Sequence, residues 1–254
     1  MDQPKTYALI GRHLAHSFSP NYFQKKFKRL QLSDQYILLD LEQLEDFPKM
    51  FKGDDHTNWR GFNVTMPYKA AIRPYLQAIS PEAEAIGAVN TIVVQKIGQQ
   101  FSLTGHNTDY IGFRESLRPC LRPWHTSALI LGTGGASKAV GYALHQLGIA
   151  FQYVSRHPKE NQRSYSALTP ELIAQTTLII QTTPVGMWPN ESSCPMLPYE
   201  AITNKHLCYD LIYNPAETLF LRQAKAQGAQ IKNGLEMLEL QAEASYQLWT
   251  EYSF

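Results

Sequence analysis

Residues 127–136 read SALILGTGGA, and no other stretch narrows the fold as far. Ser127–Leu131 is an uninterrupted apolar run of strand length, the pattern of a strand covered on both faces. Four residues of glycine-rich turn follow, and Ala136–Leu147 then places Val140, Ala143, Leu144 and Leu147 on one helical face. Strand, glycine turn and helix in this order open a βαβ unit of a parallel sheet. Ala150–Ser155, Thr177–Gln181 and Leu207–Ile212 read as further buried-type strands, separated by helix-length stretches. The chain beyond Pro123 therefore predicts a Rossmann-like doubly wound domain.

The turn itself suits a pyrophosphate. Gly132 permits the sharp bend, and Gly134 lets a phosphate approach the backbone. The N–H groups that open the helix, around Gly135 and Ala136, point at it. The third glycine of a GxGxxG pattern is absent, because position 137 is Ser. The end of the next strand selects the cofactor. NAD-preferring folds place an acidic residue about 20 residues past the glycines, on the ribose 2′-hydroxyl. Here residues 153–159 read YVSRHPK, with Arg156 and Lys159 cationic and no carboxylate before Glu160. A 2′-phosphate fits that charge pattern, so the expected cofactor is NADP.

The first half has a different grammar. Tyr7–Ile10, Gln35–Leu41 and Phe62–Thr65 read as strands, and Val89–Gln95 with Phe101–Thr104 as a hairpin through Gly98. Ser19-Pro20 supplies an N-cap and a first-turn proline for a helix over 21–30. Helical stretches are expected at 41–51, around 69–79, at 108–117 and at 235–249. In the last of these Leu238, Ala242, Ser245 and Trp249 fall near one stripe. The boundary expected from this change is near residue 109, with the C-terminal helix returning to the first domain. That gives 1–108 plus 235–254 as one domain and 109–234 as the other.

Net charge is +1 and the densest basic cluster, residues 25–29, falls at helical spacing, which argues against nucleic acid. No apolar run approaches membrane-spanning length, and the N-terminus lacks a signal layout. Cys120, Cys194 and Cys208 lie far apart without CxxC or paired-His spacing. Free thiols in a reducing cytoplasm are expected, and no metal site.

Five polar clusters remain. HSFSP (16–20) sets Ser17 and Ser19 just before a helix; capping accounts for Ser19 and leaves Ser17 unassigned. GFNVTMPYK (61–69) carries Asn63 and Thr65 at strand spacing on one face and Lys69 beyond Pro67. AVNT (88–91) adds Asn90. GHNTD (105–109) places Asp109 in the first turn of a helix, where the dipole alone would favour a carboxylate. Tyr213 follows the last buried strand and Gln241 lies on the C-terminal helix.

HSFSP, GFNVTMPYK, AIGAVNT, GHNTDYIGF, GTGGA, QTTPVGM (181–187), DLIYNP (210–215) and NGLEMLELQA (233–242) together resemble the shikimate dehydrogenase family, in the family's order and over nearly the whole chain. The resemblance implies an α/β protein of two domains, an N-terminal substrate domain with a mixed sheet and a Rossmann-like NADP domain. The activity it implies is the reversible reduction of 3-dehydroshikimate to shikimate with NADPH, in the cytoplasmic pathway to the aromatic amino acids. By position, Lys69 and Asp109 form the catalytic pair, and Ser17, Ser19, Asn63, Thr65, Asn90, Tyr213 and Gln241 surround the substrate. Gly132, Thr133, Gly134, Gly135, Ala136, Ser155, Arg156, Thr183, Gly234 and Met237 hold the cofactor. No metal, nucleic-acid or membrane partner is implied, and monomer and homodimer are both open. Two features depart from the family. Thr133 stands where alanine is commoner, and Glu160 stands where a second arginine is usual. A quinate/shikimate dehydrogenase using NAD and a ligand-sensing paralogue without turnover share most of the motifs. The first is expected to carry an acidic residue after Arg156, and the second to have lost Lys69, Asp109 or the glycine loop.

Overall fold

The computed structural model describes residues 3–51, 58–98 and 100–251. It divides into two compact units, Met1–Thr108 with Ala242–Phe254 and Asp109–Gln241.

The first unit contains β1 (Thr6–Gly11), α1 (Ser19–Arg29), β2 (Gln35–Asp40), β3 (Trp59–Val64), β4 (Ala78–Ile79), α2 (Pro81–Ile86), β5 (Thr91–Ile97) and β6 (Gln100–His106). The strands form one mixed sheet in the order β2-β1-β3-β5-β6-β4. β1 runs parallel to β2 and β3, β5 is antiparallel to β3 and β6, and β4 is parallel to β6. Alternation along β1 serves two cores, because successive side chains leave a strand on opposite faces. Ala8 and Ile10 join Phe47, Phe62, Val64 and Ile92 on one face. Tyr7 and Leu9 join Phe23, Phe27, Tyr36 and Trp249 on the other. Trp249 seals that second face by donating its indole N–H to the Ile92 carbonyl at 3.0 Å. Gly61 makes room for it: a Cβ there would lie 2.0 Å from the Trp249 ring nitrogen.

The second unit contains α3 (Asp109–Leu117), β7 (Ser127–Leu131), α4 (Gly135–Gln146), β8 (Ala150–Ser155), β9 (Gln162–Ser164), α5 (Pro170–Gln175), β10 (Leu178–Gln181), β11 (Leu207–Asp210), α6 (Leu219–Ala226) and β12 (Gln230–Lys232), and α7 (Leu235–Glu251) begins there. Its sheet is parallel throughout, ordered β12-β11-β10-β7-β8-β9. Leu178, Ile180, Leu207 and Tyr209 pack with Phe113, Val140 and Leu144 on one face. Ile179 and Cys208 pack with Ile173, Phe220 and Leu221 on the other. The expected doubly wound arrangement is the one observed.

Five local expectations differ. α1 begins at Ser19 itself, with Phe18 already in helical conformation, and no side chain caps it, so Ser19 is not the N-cap. β3 ends at Val64, leaving Thr65 just past the strand although its N–H still reaches the Ile10 carbonyl at 2.8 Å. Residues 44–51 form a 3₁₀ helix that accommodates Pro48. The stretch 69–79 is a series of turns and a short 3₁₀ segment at Arg73–Tyr75, followed by β4. Pro74 has no N–H to give and disfavours helical geometry in the residue before it, and the Lys69 carbonyl accepts from Val89 N–H at 2.7 Å instead. β8 is not buried on both faces: Ala150 and Gln152 are exposed, because its outer neighbour β9 is only three residues long.

Candidate active site

In the first unit, adjacent strands bring polar side chains into one register. Asn63 on β3 is opposite Thr91 on β5, which is opposite His106 on β6. Asn63, Asn90, Thr91 and Thr108 are all buried. The Asn90 side chain accepts the Thr108 backbone N–H at 2.6 Å and donates to the Thr108 hydroxyl at 3.0 Å. The Asn63 amide donates to the Asn90 carbonyl at 3.3 Å, and Asn107 donates to the Ala88 carbonyl at 2.9 Å.

This network carries the two candidate catalytic residues on its backbone. Lys69 is tied through its carbonyl to Val89, the neighbour of Asn90. Asp109 directly follows Thr108, whose N–H rests on Asn90. Lys69 is half-buried, and Asp109 is buried as the first residue of α3. Ser17 ends the 3₁₀ turn at Leu14–His16 and is half-buried, as is Thr65, while Ser19 is buried.

In the second unit the phosphate loop has the conformation its glycines anticipate. Gly132 takes φ +120, where L side chains are strained, and a Cβ there would come within 2.6 Å of the Thr182 hydroxyl. Gly134 is the N-cap of α4, which no side chain caps, and an added Cβ there would meet nothing within 4 Å. Thr133 and Gly134 are exposed, with Gly135 and Ala136 half-buried behind them. A twelve-residue helix with no side-chain cap, entered through an exposed Thr133-Gly134, is suited to a phosphate. Ser137, at the position of the missing glycine, bonds the Thr182 hydroxyl at 2.7 Å, and Thr182 donates onward to the Leu131 carbonyl at 2.7 Å. Thr183 is turned by Gln181, whose side-chain oxygen accepts both its N–H and its hydroxyl.

At the end of β8 the Ser155 hydroxyl accepts the His157 N–H at 3.1 Å, and Arg156 is exposed beyond it. Burial raises the Tyr165 hydroxyl pKa, and the positive charge of Arg156 opposes that rise. An exposed cation and a serine at this strand end suit a 2′-phosphate.

Gly234 is required by close approach, since a Cβ would lie 1.9 Å from the Leu211 carbonyl oxygen. Met237 is buried in the core beside Phe113 and Tyr209. Gln241 is buried and donates to the Leu238 carbonyl at 2.9 Å. Tyr213 is half-buried, and burial raises its hydroxyl pKa. The loop carrying it is closed by Asp210, which accepts Ile212 N–H at 3.0 Å and the Thr218 hydroxyl at 2.6 Å. Asp210 is fully buried, and burial pushes its carboxyl up to about 7 against those two donors.

Tyr36, Asp210 and Ser245 carry no site signal in the sequence, while Thr91 and Thr108 fall within the AVNT and GHNTD clusters without a separate role. Ser245 lies at helical spacing among apolar residues, which reads as packing. Among the described residues no group of three or more His, Cys, Asp or Glu could hold a metal, and no helix is long and apolar enough to cross a membrane. The three cysteines are free thiols.

Residues 9–92 match the family model described as the shikimate dehydrogenase substrate binding domain. The shikimate dehydrogenase (NADP(+)) of Carboxydothermus hydrogenoformans is 36% identical over 99% of this chain and 93% of its own length. That of Methanococcus maripaludis is 36% identical over 97% and 92%. Among solved structures, the shikimate 5-dehydrogenase of Thermus thermophilus, in complex with NADP(H) and shikimate, matches with TM-score 0.84 and 34% identity, over 97% of this chain and 94% of that one.

Proposed function

The chain belongs to the shikimate dehydrogenase family, and on that premise we propose that it interconverts 3-dehydroshikimate and shikimate with NADP, with Lys69 as proton donor and Asp109 as its partner carboxylate. The observation that carries the reading is the shared anchor at residues 89–90. It holds the Lys69 carbonyl through Val89 N–H and the residue before Asp109 through the Asn90 side chain.

The nicotinamide, when bound, supplies or accepts the hydride. Reduction of the ketone builds negative charge on its oxygen, and the Lys69 ammonium both stabilises that charge and delivers the proton. In the oxidative direction the Lys69 amine takes the proton back from the hydroxyl. A carboxylate beside a lysine favours its charged form and fixes its place, which is the role assigned to Asp109. Ser17 and Ser19 suit the substrate carboxylate, and Thr65, Asn63, Asn90, Tyr213 and Gln241 supply donors and acceptors for ring hydroxyls.

Division of labour follows the two-domain reading: residues 1–108 and 235–254 supply the substrate contacts apart from Tyr213, and 109–234 supply the cofactor contacts apart from Met237. The helix start at Gly134–Ala136 holds the pyrophosphate, with Thr133, Thr183, Gly234 and Met237 around the dinucleotide. Ser155 and Arg156 take the 2′-phosphate. Glu160 follows soon after them, so selectivity for NADP rests on Arg156. The test is a matrix of initial rates for shikimate and quinate with NADP⁺ and NAD⁺. Turnover of shikimate with NADP⁺ as the best pair is expected. Preference for quinate with NAD⁺, or binding of shikimate without any turnover, overturns the reading.

A further inference from the structure

Tyr36 and Ser245 have no role in the assignments above, yet both are buried in the first unit and both bond Asn63. Tyr36 lies stacked on Phe23, ring centroids 4.5 Å apart, and donates its hydroxyl to Asn63 Oδ1 at 2.8 Å. The same phenol oxygen also engages the Ser19 hydroxyl, which opposes the rise that burial imposes on its pKa. On its other side Asn63 donates from Nδ2 to Ser245 Oγ at 3.0 Å. Ser245 Oγ stands 2.8 Å from the Thr91 hydroxyl and 3.0 Å from the Thr108 hydroxyl. Both threonine hydroxyls reach Asn90 Oδ1, at 3.1 and 3.2 Å.

We propose that Tyr36 and Ser245 are positioning residues, the links of a buried hydroxyl spine that sets which end of the Asn63 and Asn90 carboxamides faces the substrate. The proposal rests on the reading that Ser19, Asn63 and Asn90 bind it. A carboxamide is nearly symmetric in shape but not in polarity, so a half-turn about its last bond exchanges a donor for an acceptor. Two backbone groups with a single possible role pin the ends of the spine. The Asn90 carbonyl can only accept, so it faces Asn63 Nδ2. The Thr108 N–H can only donate, so it faces Asn90 Oδ1. Between them one consistent set of directions runs through the hydroxyls. Tyr36 gives its hydrogen to Asn63. Ser245 accepts from Asn63 and passes its own hydrogen to a threonine, and the threonines give theirs to Asn90. Ser245 brings α7 into this chain of bonds, and it joins β3 to β5 and to the residue before Asp109.

The test uses the full-length protein with Tyr36→Phe, Ser245→Ala and the pair. Two readouts are taken below each variant's melting temperature: KM and kcat for shikimate, and calorimetric Kd values for shikimate and for NADP⁺. Each single variant is expected to raise KM and Kd for shikimate about tenfold, the effect of losing one directed hydrogen bond in a dry site, with kcat within about twofold and the NADP⁺ Kd unchanged. The double variant is expected to cost less than the product of the singles, because both cut the same chain. An unchanged shikimate Kd, or equal losses for shikimate and NADP⁺, overturns the proposal. The Kd readout keeps this outcome separate from failure of the wild-type protein to turn over shikimate, which concerns the function above.

Discussion

Replacing Asp210 with asparagine should change how the stability of this protein depends on pH. The carboxyl is fully buried at the end of β11, with Ile212 N–H at 3.0 Å and the Thr218 hydroxyl at 2.6 Å as its donors. Burial outweighs both donors and raises its pKa from 3.8 to about 7. Between those values the folded chain holds a proton that the unfolded chain has released. Stability therefore falls as pH rises through the window, by about 1.4 kcal/mol per pH unit. The whole span, 3.8 to about 7, amounts to about 4 kcal/mol. That is a large share of the roughly 5–15 kcal/mol that holds a typical domain folded. Asp210→Asn keeps the shape and an acceptor for Ile212 but cannot ionise. Near pH 4 the two proteins should differ by only about 1 kcal/mol, since each presents an acceptor to Ile212 and a donor to Thr218, and the second amide hydrogen of Asn accounts for the remaining cost. By pH 8 the variant should have gained up to about 4 kcal/mol relative to wild type, with no further change above that. Urea unfolding at a series of pH values measures this, and subtracting the variant cancels every other titration. Hydrogen exchange of the β11 amides reports the same difference locally. A difference that stays constant from pH 4 to 8 would refute the reasoning, because it would mean the two donors keep Asp210 ionised despite burial.

Two further outcomes are expected. Gly61→Ala puts a methyl 2.0 Å from the Trp249 ring nitrogen, so the indole must leave its seat and its bond to Ile92; a loss of about 3 kcal/mol or more in denaturant unfolding is predicted, and a loss under about 1 would refute the packing argument. Arg156→Gln should raise the Kd of NADP⁺ by about tenfold or more, as for loss of a charge-assisted contact, and leave that of NAD⁺ unchanged; equal weakening of both would remove Arg156 from the 2′-phosphate site.

The parallel sheet was the most legible part of the chain. SALIL coincides with β7 because a strand covered on both faces must be apolar at every position, and the glycine turn after it has few alternatives. β8 departs from that pattern for the same reason in reverse. AFQYVS looks continuous, but Ala150 and Gln152 face solvent beside a short β9, and neighbour length is not written in the strand itself. α2 is short but has a strong start signal in Ser80-Pro81, with Ser80 Oγ accepting the Ala83 N–H at 3.2 Å. The turns after Lys69 replace the helix expected there, with Pro74 inside the short 3₁₀ segment Arg73–Tyr75. The motif residues of the site were readable as short polar clusters. Their support was not, because Tyr36, Thr91, Thr108 and Ser245 come from four distant segments and meet only through strand register and the return of α7.

The claim on which the rest depends is that Lys69 delivers the proton. Its most direct test is turnover of shikimate with NADP⁺ by Lys69→Met, beside calorimetric binding of both ligands. A fall in kcat of ~10² or more is predicted, with NADP⁺ binding intact and shikimate still bound, as expected for removal of the group that takes the proton in this direction and gives it in the reverse one. Turnover within a few-fold of wild type under saturating substrate would contradict the account.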